Sequence, residues 1–117
     1  MERDTCGCAV ERKYASDYLL RRLYQGKGKK RLGKVEVEGR KVELYLSDSK
    51  LTYVSTECPI AVITMERLCQ VFNENGKLSL EEAVHALEEI KGFTVSQLSR
   101  EIAREVVRVL EESGIHS

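Results

Sequence analysis

The most regular pattern of apolar residues lies near the C-terminus of the chain. Apolar side chains recur there at steps of three and four residues, which places them on one face of an α-helix. This apolar stripe consists of Val95, Leu98, Ile102, Val106, Val109 and Leu110. We predict a helix from Thr94 to about Glu112, with Thr94 as its N-cap and Gly114 just beyond its end. Because the stripe has to be buried, we expect this helix to lie at the centre of the core.

Two further helices are predicted before the C-terminal one. Pro59 is tolerated in the first turn of a helix, and the apolar pattern after it continues as far as N-E-N-G at residues 73–76. Ser79 then begins another helix, because Glu82 follows it at the spacing of a capping box. The connection K-G-F-T, residues 91–94, leads into the C-terminal helix.

The pattern between Val10 and Tyr24 is also helical, with apolar residues three or four positions apart. We expect this first helix to stop near Gln25, because two glycines follow within three residues. The segment G-K-G-K-K-R-L-G, residues 26–33, is predicted to be a basic loop punctuated by glycine.

Apolar and polar residues alternate after this loop, as they do in β-strands. The apolar residues of the alternation are Val35, Val37, Val42, Leu44 and Leu46. Residues 38–41 supply a tight turn between the two halves of the pattern, so we predict a β-hairpin. Residues 51–55 are a candidate third strand.

Together these elements predict an α+β fold of order α-ββ(β)-ααα, in which an antiparallel hairpin or small meander packs on a mostly helical core. A winged-helix-like arrangement is compatible with this composition of elements. We assign residues 10–117 to a single domain and residues 1–9 to a flexible N-terminus, because 117 residues can build one core but not two.

The composition narrows the class of protein. No apolar run approaches the roughly 18 residues of a membrane-spanning helix, and the first residues, M-E-R-D-T-C-G-C, lack the apolar stretch of a secretory signal. We therefore expect a cytoplasmic protein with no membrane partner. Charged residues make up 32% of the chain while Asn and Gln together number five, a composition typical of thermophile proteins.

The cysteines Cys6, Cys8, Cys58 and Cys69 leave their chemical state open. A structural zinc site usually has two pairs of ligands with two to four residues between them, whereas ten residues separate Cys58 from Cys69. Cys69 falls on an apolar helix face and is expected to be a buried thiol. We favour free thiols, or a disulfide from Cys6 or Cys8 to Cys58, over a metal site, and we predict no metal or cofactor.

Two ligand-binding motifs are incomplete. Residues 28–35 match the phosphate-loop pattern except at the last position, where Val35 replaces the Ser or Thr that holds magnesium. The residues from Phe72 onward resemble the second half of an EF-hand, but Val71 stands at the first calcium-ligand position and offers no oxygen. No nucleophile and base are recognisable around either histidine, so we predict a non-enzymatic protein without catalytic residues.

The net charge of zero conceals two oppositely charged segments. Residues 11–41 contain eleven Lys and Arg against four Asp and Glu, a net charge of +7. Residues 42–117 contain seven against thirteen, a net charge of −6. Such blocks favour either an electrostatic partner or ion pairs between the two halves of the fold.

Basic residues of the glycine-punctuated loop and the hairpin are candidates for phosphate contacts. They are Lys27, Lys29, Lys30, Arg31, Lys34, Arg40 and Lys41. In the C-terminal helix, Arg100, Arg104 and Arg108 form a row that a helix-turn-helix would present to a DNA groove. Glu101 and Glu105 stand beside that row, so a solvated structural surface is the favoured interpretation of the arginines.

We therefore predict a nucleic-acid-binding protein, with DNA favoured over RNA, that contacts phosphates through residues 27–41 without reading base sequence. The alternative is a protein-interaction or assembly subunit, for example a homodimer formed through the C-terminal helix. A salt titration of binding separates the two hypotheses, because only the first predicts an affinity for DNA or RNA that falls steeply with salt.

Overall fold

The computed structural model describes residues 13–113, which form four helices and a three-stranded antiparallel sheet. In chain order the elements are α1 (Ala15–Leu20), β1 (Lys30–Val37), β2 (Arg40–Ser47), β3 (Lys50–Ser55), α2 (Pro59–Asn75), α3 (Leu80–Glu88) and α4 (Gln97–Glu112). The predicted α+β class and the predicted order of elements are confirmed, and the third strand is present. Residues 1–12 and 114–117, including the predicted flexible N-terminus, Cys6, Cys8 and Gly114, lie outside the described residues.

Two tight turns fold the strands into a meander of order β1-β2-β3. Glu38 and Gly39 connect β1 to β2 with φ values of 50° and 81°. Asp48 and Ser49 connect β2 to β3 with φ values of 52° and 70°. Positive φ at both central residues is the geometry of a type I′ turn, whose twist matches that of the flanking strands.

One face of the sheet, the inner face, packs on the helices. Its buried residues include Val35, Val42, Leu44, Leu51 and Tyr53. α2 packs against β3 and α4 packs against β1, while α3 lies against both of these helices and α1 lies against α2. The opposite face, the outer face, carries many of the charged side chains of the sheet.

The ends of α2 are as predicted. Pro59 occupies the first turn, and Gly76 terminates the helix with φ of 79°, a conformation that glycine adopts without strain. Every residue from Ala61 to Glu66 is buried, because α2 contacts α1, α3, α4 and β3. The C-terminal helix α4 therefore shares the centre of the core with α2.

The helix boundaries near the C-terminus are partly as predicted. The capping box of α3 is confirmed, since Ser79 Oγ accepts from the Glu82 N–H at 3.1 Å and the Glu82 carboxylate accepts from the Ser79 N–H at 3.1 Å. The apolar stripe of α4 is buried, but the prediction of Thr94 as its N-cap is wrong. Ser96 is the N-cap, because it exchanges hydrogen bonds with Ser99 at 3.2 and 2.8 Å and so satisfies two backbone donors.

The prediction of a helix from Val10 to Tyr24 is wrong at both ends, because α1 begins at Ala15, with Tyr14 as its N-cap, and stops at Leu20 rather than near Gln25. The N–H groups of Leu23 and Tyr24 donate to the buried carboxylate of Glu66 at 2.9 and 3.2 Å. A contact with α2 thus replaces the hydrogen bonds that would have continued the helix. Local periodicity carries no information about such a contact.

The prediction of a loop over residues 26–33 is also partly wrong, because β1 already begins at Lys30. A bulge at Leu32 interrupts the pairing with β2. Gly33, just after the bulge, lies directly over α4. A Cβ on Gly33 would come 3.0 Å from Cγ1 of Val109, so the absence of a side chain allows β1 and α4 to approach closely.

Candidate nucleic-acid interface

Residues 24–29 form a crossing segment that carries the chain from one edge of the sheet to the other. At its start, the carbonyl of Tyr24 accepts from the Tyr53 N–H at 3.1 Å, and the Gly26 N–H donates to the Tyr53 carbonyl at 2.7 Å. At its end, the backbone N–H of its last residue donates to Ser47 Oγ in β2 at 2.6 Å. The crossing segment therefore passes over the outer face and holds its two lysines there.

Gly28 brings the crossing segment into contact with the sheet. A Cβ at this position would lie 2.6 Å from Ser47 Oγ and 2.9 Å from Cβ of Tyr45, so a side chain larger than hydrogen would force the segment away. The segment covers Tyr45, which is 8% exposed although it points to the outer face.

The register of the sheet brings predicted basic residues of two strands together on the outer face. Arg31 of β1 lies opposite Tyr45 of β2, and Lys34 lies opposite Glu43. Lys41 belongs to the same face, because side chains two residues apart along a strand point the same way. Three of the predicted nucleic-acid-binding residues, Arg31, Lys34 and Lys41, therefore share the outer face.

Glu43 lies within this group of cations. Its carboxylate accepts from the Tyr45 hydroxyl at 2.8 Å and from Arg31 at 3.5 Å. The hydrogen bond from Tyr45 lowers the pKa of Glu43, and the positive charges of Arg31, Lys27 and Lys34 lower it further against the opposing effect of desolvation. The same hydrogen bond raises the pKa of Tyr45. Glu43 therefore stays ionised and partly neutralises the cations around it.

The basic residues of this region differ in whether they have acidic partners. Lys29 forms an ion pair with Asp48 at 3.3 Å, and Arg31 forms one with Glu43 at 3.5 Å. Four exposed lysines of the crossing segment, β1 and β2 form no ion pair within 4.0 Å with any of residues 13–113. These four unpaired lysines are Lys27, Lys30, Lys34 and Lys41.

The four unpaired lysines do not all point the same way. Lys30 lies opposite Leu46 at the beginning of β1, so its side chain starts on the side of the inner face. Lys34 and Lys41 line a shallow depression of about 280 Å³ on the outer face, together with Glu43 and Thr56. Ammonium and hydroxyl donors around a depression of this size suit a phosphate group.

Arg40, another predicted site residue, is engaged with the protein itself. Its guanidinium donates to the carbonyl of Glu38 at 2.8 Å and hydrogen-bonds the thiol of Cys58 at the start of α2. Burial raises the pKa of that thiol, but the Ala61 N–H, the Arg40 guanidinium and the Ile60 N–H together lower it by more, so the net pKa of Cys58 is lowered. Arg40 therefore joins the hairpin turn to α2.

Two arginines of the predicted row on α4 are paired with glutamates of the same helix. Arg104 hydrogen-bonds Glu101, and Arg108 donates to Glu105 at 2.9 Å and to Glu112 at 3.0 Å. The hydrogen bonds to Glu105 and Glu112 raise the pKa of Arg108. Glutamates of the same helix therefore neutralise much of the positive charge of the arginine row.

The remaining arginine of the row, Arg100, lines a groove of about 470 Å³ between α3 and α4, beside Leu80, Val84 and Val95. The connection between these helices spans residues 89–96, whereas a helix-turn-helix has a turn of about three or four residues. Because α4 packs under the inner face, its arginine row and the outer face are on different sides of the sheet. The structure does not unite the two predicted sets of basic residues.

Sequence reasoning missed three participants in this region. Thr56 follows β3 and hydrogen-bonds the backbone of Lys41 at 3.0 Å, a position that the strand register alone would have revealed. Lys50 lies 5.8 Å from the centre of the Tyr24 ring and helps to hold the crossing segment. Glu66 of α2 holds the start of the same segment through a hydrogen bond from the Tyr24 N–H. A glutamate inside an apolar helix pattern was the sequence signal that could have identified it.

Comparison of the chain with protein-family models, with curated proteins and with solved structures found no match. None of the helices within residues 13–113 has the length and apolar character needed to cross a membrane. In the same part of the chain, no three His, Cys, Asp or Glu residues are grouped so as to hold a metal ion, and Cys58 is a free thiol while Cys69 is buried. The alternatives for Cys6 and Cys8 fall outside the described residues and stay predictions.

Proposed function

We propose that the outer face of the sheet binds nucleic acid through the phosphate backbone. The observation that carries the proposal is the set of four unpaired lysines, three of which lie on or over the outer face. Among the nearby cations, Lys29 and Arg31 have acidic partners, Arg40 donates to a backbone carbonyl, and Lys50 lies over the Tyr24 ring. The charges of the unpaired lysines therefore remain available to an external anion. The proposal retains the cytoplasmic location expected from the sequence.

The character of the surface favours the backbone of a duplex over the bases of a single strand. Proteins that bind single strands stack bases on exposed aromatic rings. Within the strands β1, β2 and β3, the aromatic side chain on the outer face is Tyr45, and the crossing segment covers it. Ammonium groups contact phosphates without distinguishing base pairs, so we expect binding that is independent of sequence.

A salt titration tests this proposal. We expect the protein to bind a short DNA duplex with a Kd of about 1–100 µM near physiological salt, as non-specific binders do. Three phosphate contacts predict a slope of about −2.5 to −3 in a plot of log affinity against log salt concentration, because each contact releases a condensed counterion. Fluorescence anisotropy with two duplexes of unrelated sequence measures both quantities, and the two slopes should agree.

A parallel titration with an unstructured single strand of the same length sharpens the test. We expect weaker binding and a shallower slope, since a single strand condenses fewer counterions per phosphate. Folded protein that fails to bind DNA or RNA at about 50 mM salt contradicts the proposal. The protein-interaction alternative, in which the charged segments match a protein partner, predicts that result.

A further inference from the structure

The edge of the sheet at β3 is closed, in the sense that outward-pointing backbone groups of the strand already have hydrogen-bond partners. The side chain of Asn73 on α2 accepts from the Leu51 N–H at 2.7 Å and donates to the Leu51 carbonyl at 3.0 Å. Two residues further along β3, the backbone groups of Tyr53 are bonded to the crossing segment. Outward-pointing backbone groups of β3 thus have partners from the same chain.

The edge at β1 is open, and its outward-pointing backbone groups belong to Lys34 and Glu36. Lys41 fixes the orientation, because its carbonyl accepts from the Thr56 N–H at 2.9 Å and its own backbone groups therefore face β3. Successive residues of a strand direct their backbone groups to opposite sides, so the backbone groups of Val42 face β1. Val42 pairs with Val35, and the backbone groups of Val35 therefore face β2. The backbone groups of Lys34 and Glu36, on either side of Val35, therefore point away from the sheet. No residue of 13–113 forms a hydrogen bond with them.

We propose that the β1 edge pairs antiparallel with β1 of a second copy of this chain, about a two-fold axis at Val35. In this register Lys34 lies opposite the partner's Glu36, and Glu36 lies opposite the partner's Lys34. The outward backbone groups of both residues then gain hydrogen bonds, and each side chain gains an opposite charge across the new boundary. The result is a continuous six-stranded sheet, and the inference does not depend on nucleic-acid binding.

The charges select this register among those that the edge allows. An axis at Lys34 places two lysines opposite each other, and an axis at Glu36 does the same with two glutamates, which is unfavourable. The bulge at Leu32 limits the regular ladder to about the five residues 33–37. A two-fold axis at Val35 uses this whole stretch and places opposite charges in contact on both sides of the axis.

A charged edge strand ordinarily discourages pairing between copies, and lysines commonly serve that purpose. The β1 edge differs because Lys34 and Glu36, the two residues with outward-pointing backbone groups, carry opposite charges. They alternate with residues whose side chains lie on the inner face. This arrangement disfavours pairing in other registers and with unrelated strands, while it complements itself in one register. The partner that the edge fits is therefore a second copy of the chain.

Charge reversal tests the register. Lys34→Glu and Glu36→Lys each create two like-charged pairs across the axis, so each should raise the dimer dissociation constant by about tenfold or more. The double variant K34E/E36K restores opposite charges across the axis and should return the constant to near the wild-type value. Because both single changes also place like charges opposite Glu43 and Lys41 within one chain, recovery in the double variant reports the contact between copies.

Sedimentation equilibrium without nucleic acid supplies the measurement. The wild type should form a species of twice the 13.3 kDa chain mass. Glu36→Pro removes an outward N–H that the hairpin does not use, so the variant should fold, as circular dichroism can verify, and remain monomeric. A wild-type chain that stays monomeric up to about 1 mM overturns the proposal, as does a dimer that Glu36→Pro weakens by less than about threefold. A double variant no tighter than the single variants also overturns it.

Discussion

The two edges of the sheet are built from different kinds of interaction. At the β3 edge, the half-buried side chain of Asn73 on α2 and the backbone of the crossing segment bond the backbone of the strand. At the β1 edge, Lys34 and Glu36 are exposed and oppositely charged, and their outward-pointing backbone groups have no partner in residues 13–113. The comparison separates residues that hold the fold together from residues whose charges and hydrogen-bonding groups are available to other molecules.

Glu66 is the clearest example of the closed side. Its carboxylate is fully buried and accepts from the N–H groups of Leu23 and Tyr24 and from the Tyr53 hydroxyl at 2.8 Å. Burial and the neighbouring Glu66 raise the pKa of Tyr53 far above its usual range, which favours the protonated hydroxyl that donates to Glu66. One side chain therefore ends α1 and fixes the crossing segment against β3.

The largest effect expected from this comparison is that of Glu66→Ala. The substitution leaves three donors without their acceptor, among them the buried Tyr53 hydroxyl, so it should lower the free energy of unfolding by about 3–5 kcal/mol. Urea denaturation measures this loss. Glu74→Ala is the matched control on the same helix, because Glu74 is exposed and should contribute within about 0.5 kcal/mol. Similar losses of stability for the two variants would show that the hydrogen bonds to Glu66 do not stabilise the crossing segment against β3.

A smaller effect is expected for Asn73→Ala. This change removes both hydrogen bonds to the backbone of Leu51 and leaves that N–H and carbonyl at the sheet edge without a protein partner. The free energy of unfolding should fall by about 1–3 kcal/mol, less than for Glu66 because the lost acceptor is neutral. Asn75→Ala, at the exposed end of the same helix, should have little effect. If Asn73→Ala costs no more than this control, solvent satisfies the β3 edge equally well.

The elements of the fold could largely be predicted from the chain. Period-two alternation identified the hairpin, and the proline, glycine and capping signals located the ends of α2 and the start of α3. The N-cap of α4 was misplaced by two residues, because the local exchange between Ser96 and Ser99 was overlooked. The errors at α1 and β1 fell where a tertiary contact overrides local preference. The carboxylate of Glu66 ends α1 early, and the register with β2 extends β1 into the glycine-punctuated segment to Lys30. Neither effect is encoded in the spacing of neighbouring residues.

The candidate site was predictable as a basic segment but not as a surface. Sequence identifies each lysine and arginine, yet it does not show which of them have acidic partners. The pairing of Lys29 with Asp48 and of Arg31 with Glu43 depends on the register of the meander and on the path of the crossing segment. A binding test should therefore replace lysines without acidic partners rather than Lys29 or Arg31.

The central claim is that unpaired lysines of the sheet, rather than the arginines of α4, bind nucleic acid. Two variants with equal loss of charge test it. The sheet variant replaces three unpaired lysines by alanine, namely Lys27, Lys34 and Lys41. The helix variant replaces the arginine row by alanine, namely Arg100, Arg104 and Arg108. All six positions are exposed, so the thermal midpoint of each variant should stay within a few degrees of the wild type, about 5 °C at most.

The decisive measurement is the salt dependence of duplex DNA binding by these two variants. The sheet variant should lose about two to three units of the log-log slope and bind every duplex more weakly, because each lysine removed abolishes a phosphate contact. The helix variant should keep a slope within about half a unit of the wild type, because Arg104 and Arg108 are already neutralised by glutamates. Equal slopes in the sheet variant and the wild type, or a larger loss in the helix variant, would contradict the account.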